Sequence, residues 1–271
     1  MTRTGRGNVA AALFSAAFLC AGAAPAVAES QLCQVPAELT RLERPLAHTG
    51  QRLAAGQPVK IIAIGSSSTA GAGASSAAAS YPGRLAVELA AIFPGVPITV
   101  VNRGINGQDA AEMVARFRRD VIEEKPDLVI WQLGTNAALR DMPAEQISRL
   151  IQAGVRMLTE TGADVLLVDP QFVPRVISKP ETEGMVTLIA ATARRSKVGV
   201  FRRFAIMKHW REVGGLSFEA FTSPDGLHMN DWGYRCWAKL MCAAIADAAT
   251  RATTSAELAP AAQPDQKPGG R

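Results

Sequence analysis

Histidine and cysteine are scarce in this chain: of its 271 residues, three are histidine and four are cysteine. No Cys-x-x-Cys pair and no His-Cys cluster occurs, so the sequence gives no sign of a zinc site. The scarcity of histidine also limits any imidazole chemistry to His48, His209 or His228. Any reaction that needs a histidine base must therefore use one of these three side chains.

Long apolar runs and clusters of positive charge are absent beyond the N-terminus. No later stretch is long and apolar enough to span a bilayer, so we expect no stable membrane insertion of the main body of the protein. The formal charge is +5, and the basic residues are scattered along the chain. A nucleic-acid-binding protein usually has a clustered basic stripe, so we expect no nucleic-acid partner. The sequence leaves the oligomeric state open.

The first 28 residues have the pattern of a secretory signal peptide. Arg3 and Arg6 precede a short, alanine-rich apolar stretch, and the small residues Ala26-Val27-Ala28 follow it. A membrane anchor is the alternative, but the apolar run is short and a cleavage site follows it. We predict cleavage after Ala28 and a periplasmic or secreted protein. Its formal charge would be +3, since Arg3 and Arg6 carry two of the five net positive charges.

Three cysteines remain after the predicted cleavage site. In an oxidising compartment, one disulfide and one free thiol is the natural count for three cysteines. Cys33 could join the N-terminal segment to the C-terminal helix by pairing with Cys236 or Cys242. The spacing does not decide between these two partners, and three buried thiols are the alternative.

Short apolar runs alternate five times with segments whose apolar residues recur at helical spacing. The predicted strands are 59–65, 97–104, 127–134, 163–169 and 198–201, and the predicted helices are 81–93, 108–123, 143–160, 181–196 and 231–248. This alternation predicts one α/β domain at 58–250, a three-layer α/β/α flavodoxin-like sandwich around a mainly five-stranded parallel sheet. A lead-in helix or loop precedes it at 29–57. A tail rich in Ala and Pro, at 251–271, is predicted to be disordered.

Ligands of open α/β sheets bind at the carboxyl ends of the strands, so the segments that directly follow the strands are informative. The first, GSSSTAG at 65–71, lacks the lysine of a phosphate-binding P-loop and the glycine spacing of a dinucleotide-binding turn. A serine exposed at a tight strand-to-helix turn remains, although Thr69 replaces the second glycine of a G-x-S-x-G elbow. The residues alone leave Ser66, Ser67 and Ser68 as candidate nucleophiles.

A serine hydroxyl needs a base before it can attack a carbonyl carbon. His48 lies in the lead-in, and His209 is predicted to be a surface residue of a short helix. His228 follows Asp225 by three residues within SPDGLHMND at 223–231, so the carboxylate can turn back onto the imidazole and fix its tautomer. Such spacings also arise by chance, but the expected position at the rim of the sheet favours His228 as the base and Asp225 as its partner.

An oxyanion formed during acyl transfer needs hydrogen-bond donors at the same rim. Gly107, in RGINGQD after the second strand, could bring its backbone N–H close because it has no Cβ. Asn136, in LGTNA after the third strand, could offer its side-chain amide, and the amide of the serine itself is a third candidate. A tight turn at Gly107 and a helix cap at Asn136 are the structural alternatives.

The chain resembles the SGNH/GDSL hydrolases, a family of secreted-type acylhydrolases, over about residues 59 to 248. Four blocks carry the resemblance: GSSST (65–69), NRGINGQ (102–108), GTNA (134–137) and DGLH (225–228). The resemblance implies that Ser67 is the nucleophile, that His228 is the general base and then the general acid, and that Asp225 orients it. It also implies an oxyanion hole made by Gly107, Asn136 and the amide of Ser67, and no metal or organic cofactor.

Two residues depart from the pattern of the family. Ser66 stands where the first block usually has aspartate, and Ala137 stands where an aspartate usually follows the asparagine of the third block. Neither position holds the nucleophile or an oxyanion donor. The departures therefore do not change the implied reaction. They affect only which subfamily the chain resembles.

The resemblance implies a serine esterase, with short acyl groups such as acetyl on a carbohydrate or a small ester as the expected substrate. The alternatives are a lipid hydrolase of the lysophospholipase or thioesterase kind, an O-acyltransferase, and a non-catalytic carbohydrate-binding relative. A flavodoxin-like cofactor binder would leave the Asp225–His228 pair unexplained. Three aromatic residues, Phe172, Phe218 and Phe221, could line an acyl or sugar pocket, but the interpretation that they fill the local core is favoured.

Overall fold

Five parallel strands form one sheet in the computed structural model, which describes residues 1–2 and 33–257. The strands are β1 (Val59–Gly65), β2 (Ile98–Gly104), β3 (Leu128–Gln132), β4 (Asp164–Val168) and β5 (Gly199–Phe201), and their order in the sheet is β2-β1-β3-β4-β5. All five lie where the apolar runs predicted them. Most of the predicted signal peptide, and 258–271 of the predicted tail, lie outside the described residues.

Helices connect the strands and flank the sheet. They are α1 (Ala37–Thr40), α2 (Ala47–Ala54), α3 (Ser67–Ala70), α4 (Tyr81–Ile92), α5 (Ala110–Ala115), α6 (Thr135–Leu139), α7 (Ala144–Thr159), α8 (Pro174–Ile177), α9 (Thr182–Arg195), α10 (Arg203–Glu212), α11 (Phe218–Phe221) and α12 (Asp231–Glu257). Within the part of the chain that the structure describes, no helix is both long and apolar enough to cross a membrane.

The prediction of one continuous helix over 108–123 is wrong. The chain forms α5, which ends before Arg116, and then a π-helical turn at Arg118–Ile122. Met113, Phe117 and Val121 are all buried and recur at every fourth residue. Four residues exceed the 3.6 of an α-helical turn, so a wider turn keeps these side chains on one face. The spacing of the buried apolar residues continues across the break between α5 and the π-helical turn. Spacing alone therefore predicts one helix where the chain forms two segments.

Neighbouring residues of each strand point into two different cores. In β1, Ile61 and Ala63 belong to one core, whereas Ile62 and Ile64 belong to the other. The first core is covered by α2, α4, α10 and α12, and the second is covered by α5, α7 and α9. This arrangement confirms the predicted three-layer sandwich, because a parallel sheet that is buried on both faces needs helices on both.

The three phenylalanines considered for a pocket belong to the first core. Phe172 and Phe221 are buried there, and Phe218 packs against it from a partly exposed position. Phe172 and Phe218 also contact each other through their rings, with centroids 6.0 Å apart. The interpretation that these side chains fill the core is therefore the correct one.

The last helix, α12, is longer than predicted and holds the N-terminal lead-in against the domain. It continues through 251–257, the first residues of the segment that was expected to be disordered. A Cβ atom on Gly50 of α2 would lie 2.4 Å from the carbonyl oxygen of Ala249, so only glycine allows the two helices to approach this closely. The backbone N–H of Leu46 donates to the carbonyl of Ala248, and the guanidinium of Arg251 donates to that of Leu42.

A disulfide joins the lead-in to the same helix. Cys33 is bonded to Cys236 across a sequence separation of 203 residues, and Cys242 is a free, buried thiol. The sequence leaves Cys236 and Cys242 open as partners of Cys33, and in the structure the partner is Cys236. The bond closes most of the domain into one covalent loop.

Reduction of this disulfide is expected to destabilise the folded protein. A cross-link that closes a long loop restricts the unfolded chain, and its loss typically costs about 2–4 kcal/mol. Urea unfolding of the wild-type protein should therefore show that much loss of unfolding free energy in dithiothreitol. The double variant Cys33→Ala/Cys236→Ala is the control, since its unfolding should not respond to the reductant. An equal response of both proteins would contradict the prediction.

Candidate active site

Ser67 lies at the turn where β1 ends and α3 begins. Gly65, the last residue of β1, pairs with Gly104, the last residue of β2, so the two strands end at the same level. Ser66 and Ser68 are only 3% and 2% exposed, whereas Ser67 is half-buried. Of the three serines that the residues alone leave as candidates, Ser67 is therefore the one whose side chain a substrate could reach.

His228 and Asp225 lie beside Ser67, although 161 residues of sequence separate His228 from it. The Nε2 atom of His228 is 2.8 Å from Oγ of Ser67, and its Nδ1 atom is 2.5 Å from Oδ2 of Asp225. The three side chains thus form one hydrogen-bonded chain from carboxylate to hydroxyl. In this geometry, a proton on Nδ1 is held by the carboxylate, and Nε2 is free to accept the proton of the serine.

The other carboxylate oxygen of Asp225 is held by its own loop. Oδ1 accepts hydrogen bonds from the amides of Leu227 and His228 and from the hydroxyl of Ser223, at 2.9, 2.9 and 2.7 Å. Partial burial raises the pKa of Asp225, but the two amides, the Ser223 hydroxyl and the imidazole together hold this pKa well below its usual range. Asp225 is therefore an ionised partner for His228 at neutral pH.

Gln132, the last residue of β3, fixes the turn that carries Ser67. Its fully buried Oε1 accepts hydrogen bonds from the backbone N–H of Ser66 at 3.0 Å, the Ser66 hydroxyl at 3.1 Å and the Thr69 hydroxyl at 3.2 Å. Its Nε2 atom is buried with no hydrogen-bond partner. Sequence reasoning did not identify Gln132, and the only signal for it is a polar residue at the end of a strand that is otherwise apolar.

Gly107 lies in a tight turn within the segment 105–109, which connects β2 to α5. The amide of Gln108 is 3.5 Å from the carbonyl of Ile105, and Gly107 has a φ of +79°. The third position of a type II turn requires a positive φ of this size, which favours glycine. A Cβ atom there would meet no atom within 4 Å, so the backbone conformation, and not the available space, calls for glycine.

Asn136 belongs to the first turn of α6 and contacts the turn of Gly107. Its Nδ2 atom donates to the carbonyl oxygen of Gln108 at 2.8 Å. The structure thus brings together the segments after β2 and β3, as the sequence predicts for residues at one rim of the sheet. Gly107 is exposed and Asn136 is half-buried, so both residues are accessible from solvent.

The two departures from the SGNH/GDSL pattern point away from the rim. The Ser66 hydroxyl is buried and bonded to Gln132, and Ala137 is buried in the second core. Neither side chain contacts Ser67 or His228. Both small residues are therefore accommodated by packing below the turn of Ser67.

The remaining histidines lie elsewhere. His48 of α2 bonds Oδ1 of Asp127 at 2.8 Å, just before β3 begins and hence at the opposite end of the sheet from Ser67. His209 is half-buried in α10 and was predicted to be a surface residue. Among the residues with described positions, no three side chains of His, Cys, Asp or Glu come close enough to hold a metal ion.

Replacing Gln132 by methionine is expected to destabilise the fold at the turn of Ser67. The change keeps the volume but removes the acceptor of three buried donors, and a buried donor without a partner costs about 1–3 kcal/mol. We expect urea unfolding to show a loss of roughly 2–3 kcal/mol. Gln152→Met on α7 is the matched control, because Gln152 makes one partly exposed bond to Ser148. Equal losses in the two variants would refute the assigned role of Gln132.

Several known proteins are similar to this chain. It is 30% identical over 138 residues to Esterase TesA of Pseudomonas aeruginosa, an alignment that covers 49% of this chain and 63% of that protein. It is 42% identical over 57 residues to the Acetylxylan esterase of Geobacillus stearothermophilus, covering 20% and 26% of the two chains. The chain therefore spans less than two thirds of the length of these curated relatives.

Solved structures share the fold. A two-domain esterase (CEX) active on acetylated mannans superposes with a TM-score of 0.66 at 23% identity, covering 80% of this chain and 58% of that one. Axe2, an acetylxylan esterase from Geobacillus stearothermophilus, superposes with a TM-score of 0.60 at 21% identity, covering 70% and 95%. At these identities the likeness concerns the fold alone.

The family comparison covers most of the chain. The model of the Non-GDSL lipase-like family matches residues 32–251, which include all five strands and the residues of the candidate site. The first block of this chain reads GSSST, without the aspartate of a GDSL block. Together with the esterase relatives, this match confirms the predicted likeness to GDSL/SGNH hydrolases. The chain belongs to the Non-GDSL lipase-like family.

Proposed function

We propose that the protein is a serine esterase that hydrolyses carboxylic esters of short acyl groups, such as acetyl, on a carbohydrate or a small alcohol. The observation that carries the proposal is the hydrogen-bonded chain from Asp225 through His228 to the half-buried Ser67. A serine with an imidazole at 2.8 Å, itself bonded to an ionised carboxylate, is the arrangement that activates a hydroxyl for attack on a carbonyl.

In the first half of the reaction, Oγ of Ser67 attacks the carbonyl carbon of the ester while Nε2 of His228 takes the proton of the hydroxyl. The carbonyl oxygen becomes an oxyanion, and we assign its hydrogen-bond donors as the N–H of Gly107, Nδ2 of Asn136 and the N–H of Ser67. One hydrogen of the Asn136 amide is directed at the carbonyl of Gln108, which leaves the second for the oxyanion. The alcohol then leaves with the proton from His228, and an acyl-serine remains.

In the second half, a water molecule attacks the acyl-serine, and His228 takes one of its protons. Collapse of the second oxyanion releases the carboxylic acid and returns the proton to Oγ of Ser67. Asp225 stays ionised throughout, because its two amide donors and Ser223 lower its pKa. Its role is to hold His228 in one tautomer and to stabilise the imidazolium.

The proposed substrate class rests on the relatives and on the filled core. Relatives include an acetylxylan esterase and an arylesterase, and one structural neighbour is active on acetylated mannans. Two of the three phenylalanines that could have lined an acyl pocket are buried in the core, which favours a short acyl group. We also propose export, supported by the signal-like N-terminus and by the disulfide between Cys33 and Cys236.

Hydrolysis of p-nitrophenyl esters tests the proposal. We expect the protein to hydrolyse the acetate and butyrate esters faster than the octanoate. Ser67→Ala should lose at least about a thousandfold in kcat, because it removes the attacking atom. Ser68→Ala, the same change on a buried serine next in sequence, is the matched control and should keep most of the activity.

The possible results separate the alternatives. Activity that survives Ser67→Ala would overturn the assignment of the nucleophile. Fastest turnover of the octanoate would favour a lipid hydrolase over the proposed short-chain esterase. A folded wild-type protein that hydrolyses none of the esters would overturn the esterase proposal and favour an acyltransferase or a carbohydrate-binding protein.

The lowered pKa of Asp225 predicts how stability depends on pH. In the unfolded chain an aspartate has a pKa of about 3.9, so the ionised carboxylate stabilises the folded protein above that pH. This stabilisation is lost as the pH falls from that value towards the lower folded-state pKa. We therefore expect wild type to be more stable than Asp225→Asn at about pH 5, where Asp225 is ionised in both the folded and the unfolded chain.

Below about pH 4 that difference should shrink, because Asp225 of the unfolded wild-type chain becomes protonated there. Urea unfolding of both proteins across this pH range measures the difference. If the difference stays the same down to about pH 3, the lowered pKa of Asp225 is not a source of stability.

A further inference from the structure

The segment 105–109 projects from the rim of the sheet and is held at its base. The amide of Ile105 donates to the carbonyl of Gly65, and the guanidinium of Arg116 donates to Oε1 of Gln108 at 2.7 Å. Asp109 begins α5 with a capping box that it shares with Glu112. These bonds fix the two ends of the segment but not the exposed turn at Gly107.

Arg140 binds the turn at its exposed end. Its guanidinium donates to the carbonyl oxygen of Gly107 at 2.7 Å and to Oδ2 of Asp109 at 3.1 Å, and it lies 3.7 Å from Oε2 of Glu112. One planar side chain therefore contacts both the peptide that follows Gly107 and the cap of α5. The fork of an arginine can make these two bonds at once, whereas a lysine can approach only one of the acceptors closely.

Arg140 and Asn136 are one helical turn apart and donate to the carbonyl oxygens of two consecutive residues. Asn136 lies in the first turn of α6, and Arg140 caps its end. Asn136 bonds the carbonyl of Gln108, and Arg140 bonds that of Gly107. The same short helix therefore sets the position of the turn and carries the side-chain amide that we assign to the oxyanion.

We propose that Arg140 is a positioning residue for ester hydrolysis, because it fixes the distance between the amide of Gly107 and the side-chain amide of Asn136. The inference rests on the proposed function, in which both groups bind the oxyanion. Donors must lie within about 2.7–3.1 Å of the oxyanion, and a displacement of about 1 Å can cost 100-fold in rate. Arg140 itself touches neither Ser67 nor His228.

If Arg140 only stabilised the fold, its loss would lower the unfolding free energy, which we do not expect. Its side chain is 50% exposed, and exposed ion pairs contribute little to stability. Loss of Arg140 should therefore leave the unfolding free energy nearly unchanged. The effect should appear in kcat, because the oxyanion exists only along the reaction path, while KM for a small ester stays within about twofold.

The experiment compares Arg140→Ala, Arg140→Lys and Arg149→Ala with wild type on p-nitrophenyl acetate. Arg149 is the matched control, since it is an exposed arginine that pairs with Glu145 on α7. We expect Arg140→Ala to lose about tenfold or more in kcat, less than the loss of a whole donor. Arg140→Lys should recover part of that loss by reaching the carbonyl of Gly107, and Arg149→Ala should match wild type.

A second measurement monitors the conformation of the turn at Gly107 directly. Amide hydrogen exchange at Gln108, whose N–H donates to the carbonyl of Ile105 across the turn, should become faster in Arg140→Ala and stay unchanged in Arg149→Ala, because Arg140 binds the carbonyl of the same peptide group. If wild type hydrolyses the ester, Ser67→Ala does not, and Arg140→Ala equals Arg149→Ala, then the inference about Arg140 fails and the proposed function stands. If wild type hydrolyses no ester, the proposed function fails and the inference fails with it.

Discussion

One buried side-chain oxygen, Oε1 of Gln132, holds the turn on which the candidate site depends. It joins the end of β3 to the turn after β1 through a backbone amide and two hydroxyls. Because these donors belong to Ser66 and Thr69, these two residues face inwards, and Ser67, which lies between them, stays only half-buried. A buried acceptor with three donors is worth more than the same bonds in water, since no water replaces the acceptor when it is removed.

The loops at the carboxyl ends of the strands are joined to each other as well as to the sheet. Asn102 donates to the carbonyl of Thr69, Asn136 to that of Gln108, and Gln171 to that of Leu227. Each bond runs from a side chain at the end of one strand, or directly after it, to the backbone of a segment that follows another strand. The segments of the rim are therefore tied to one another and do not depend on their own turns alone.

The sequence predicted the elements well and the site in part, for physical reasons. Buried parallel strands are continuous apolar runs, so β1 to β5 were recognisable, and the D-x-x-H spacing pointed to Asp225 and His228. The choice of Ser67 needed the family pattern, because only burial separates the three serines. One bond that holds Ser66 inside comes from Gln132, 66 residues away. The contact of Arg140 with the turn of Gly107 was not predictable, since its acceptor is a backbone carbonyl 33 residues away.

The close packing of the lead-in on α12 also limits when the domain can finish folding during synthesis. Of the described helices that cover the first core, α12 comes last in the chain; it carries Cys236 and directly follows the loop of His228. A growing chain therefore leaves part of one face of its sheet uncovered until synthesis has passed α12. Ser67 and His228 cannot meet until most of the domain has been synthesised, because 161 residues of sequence separate them.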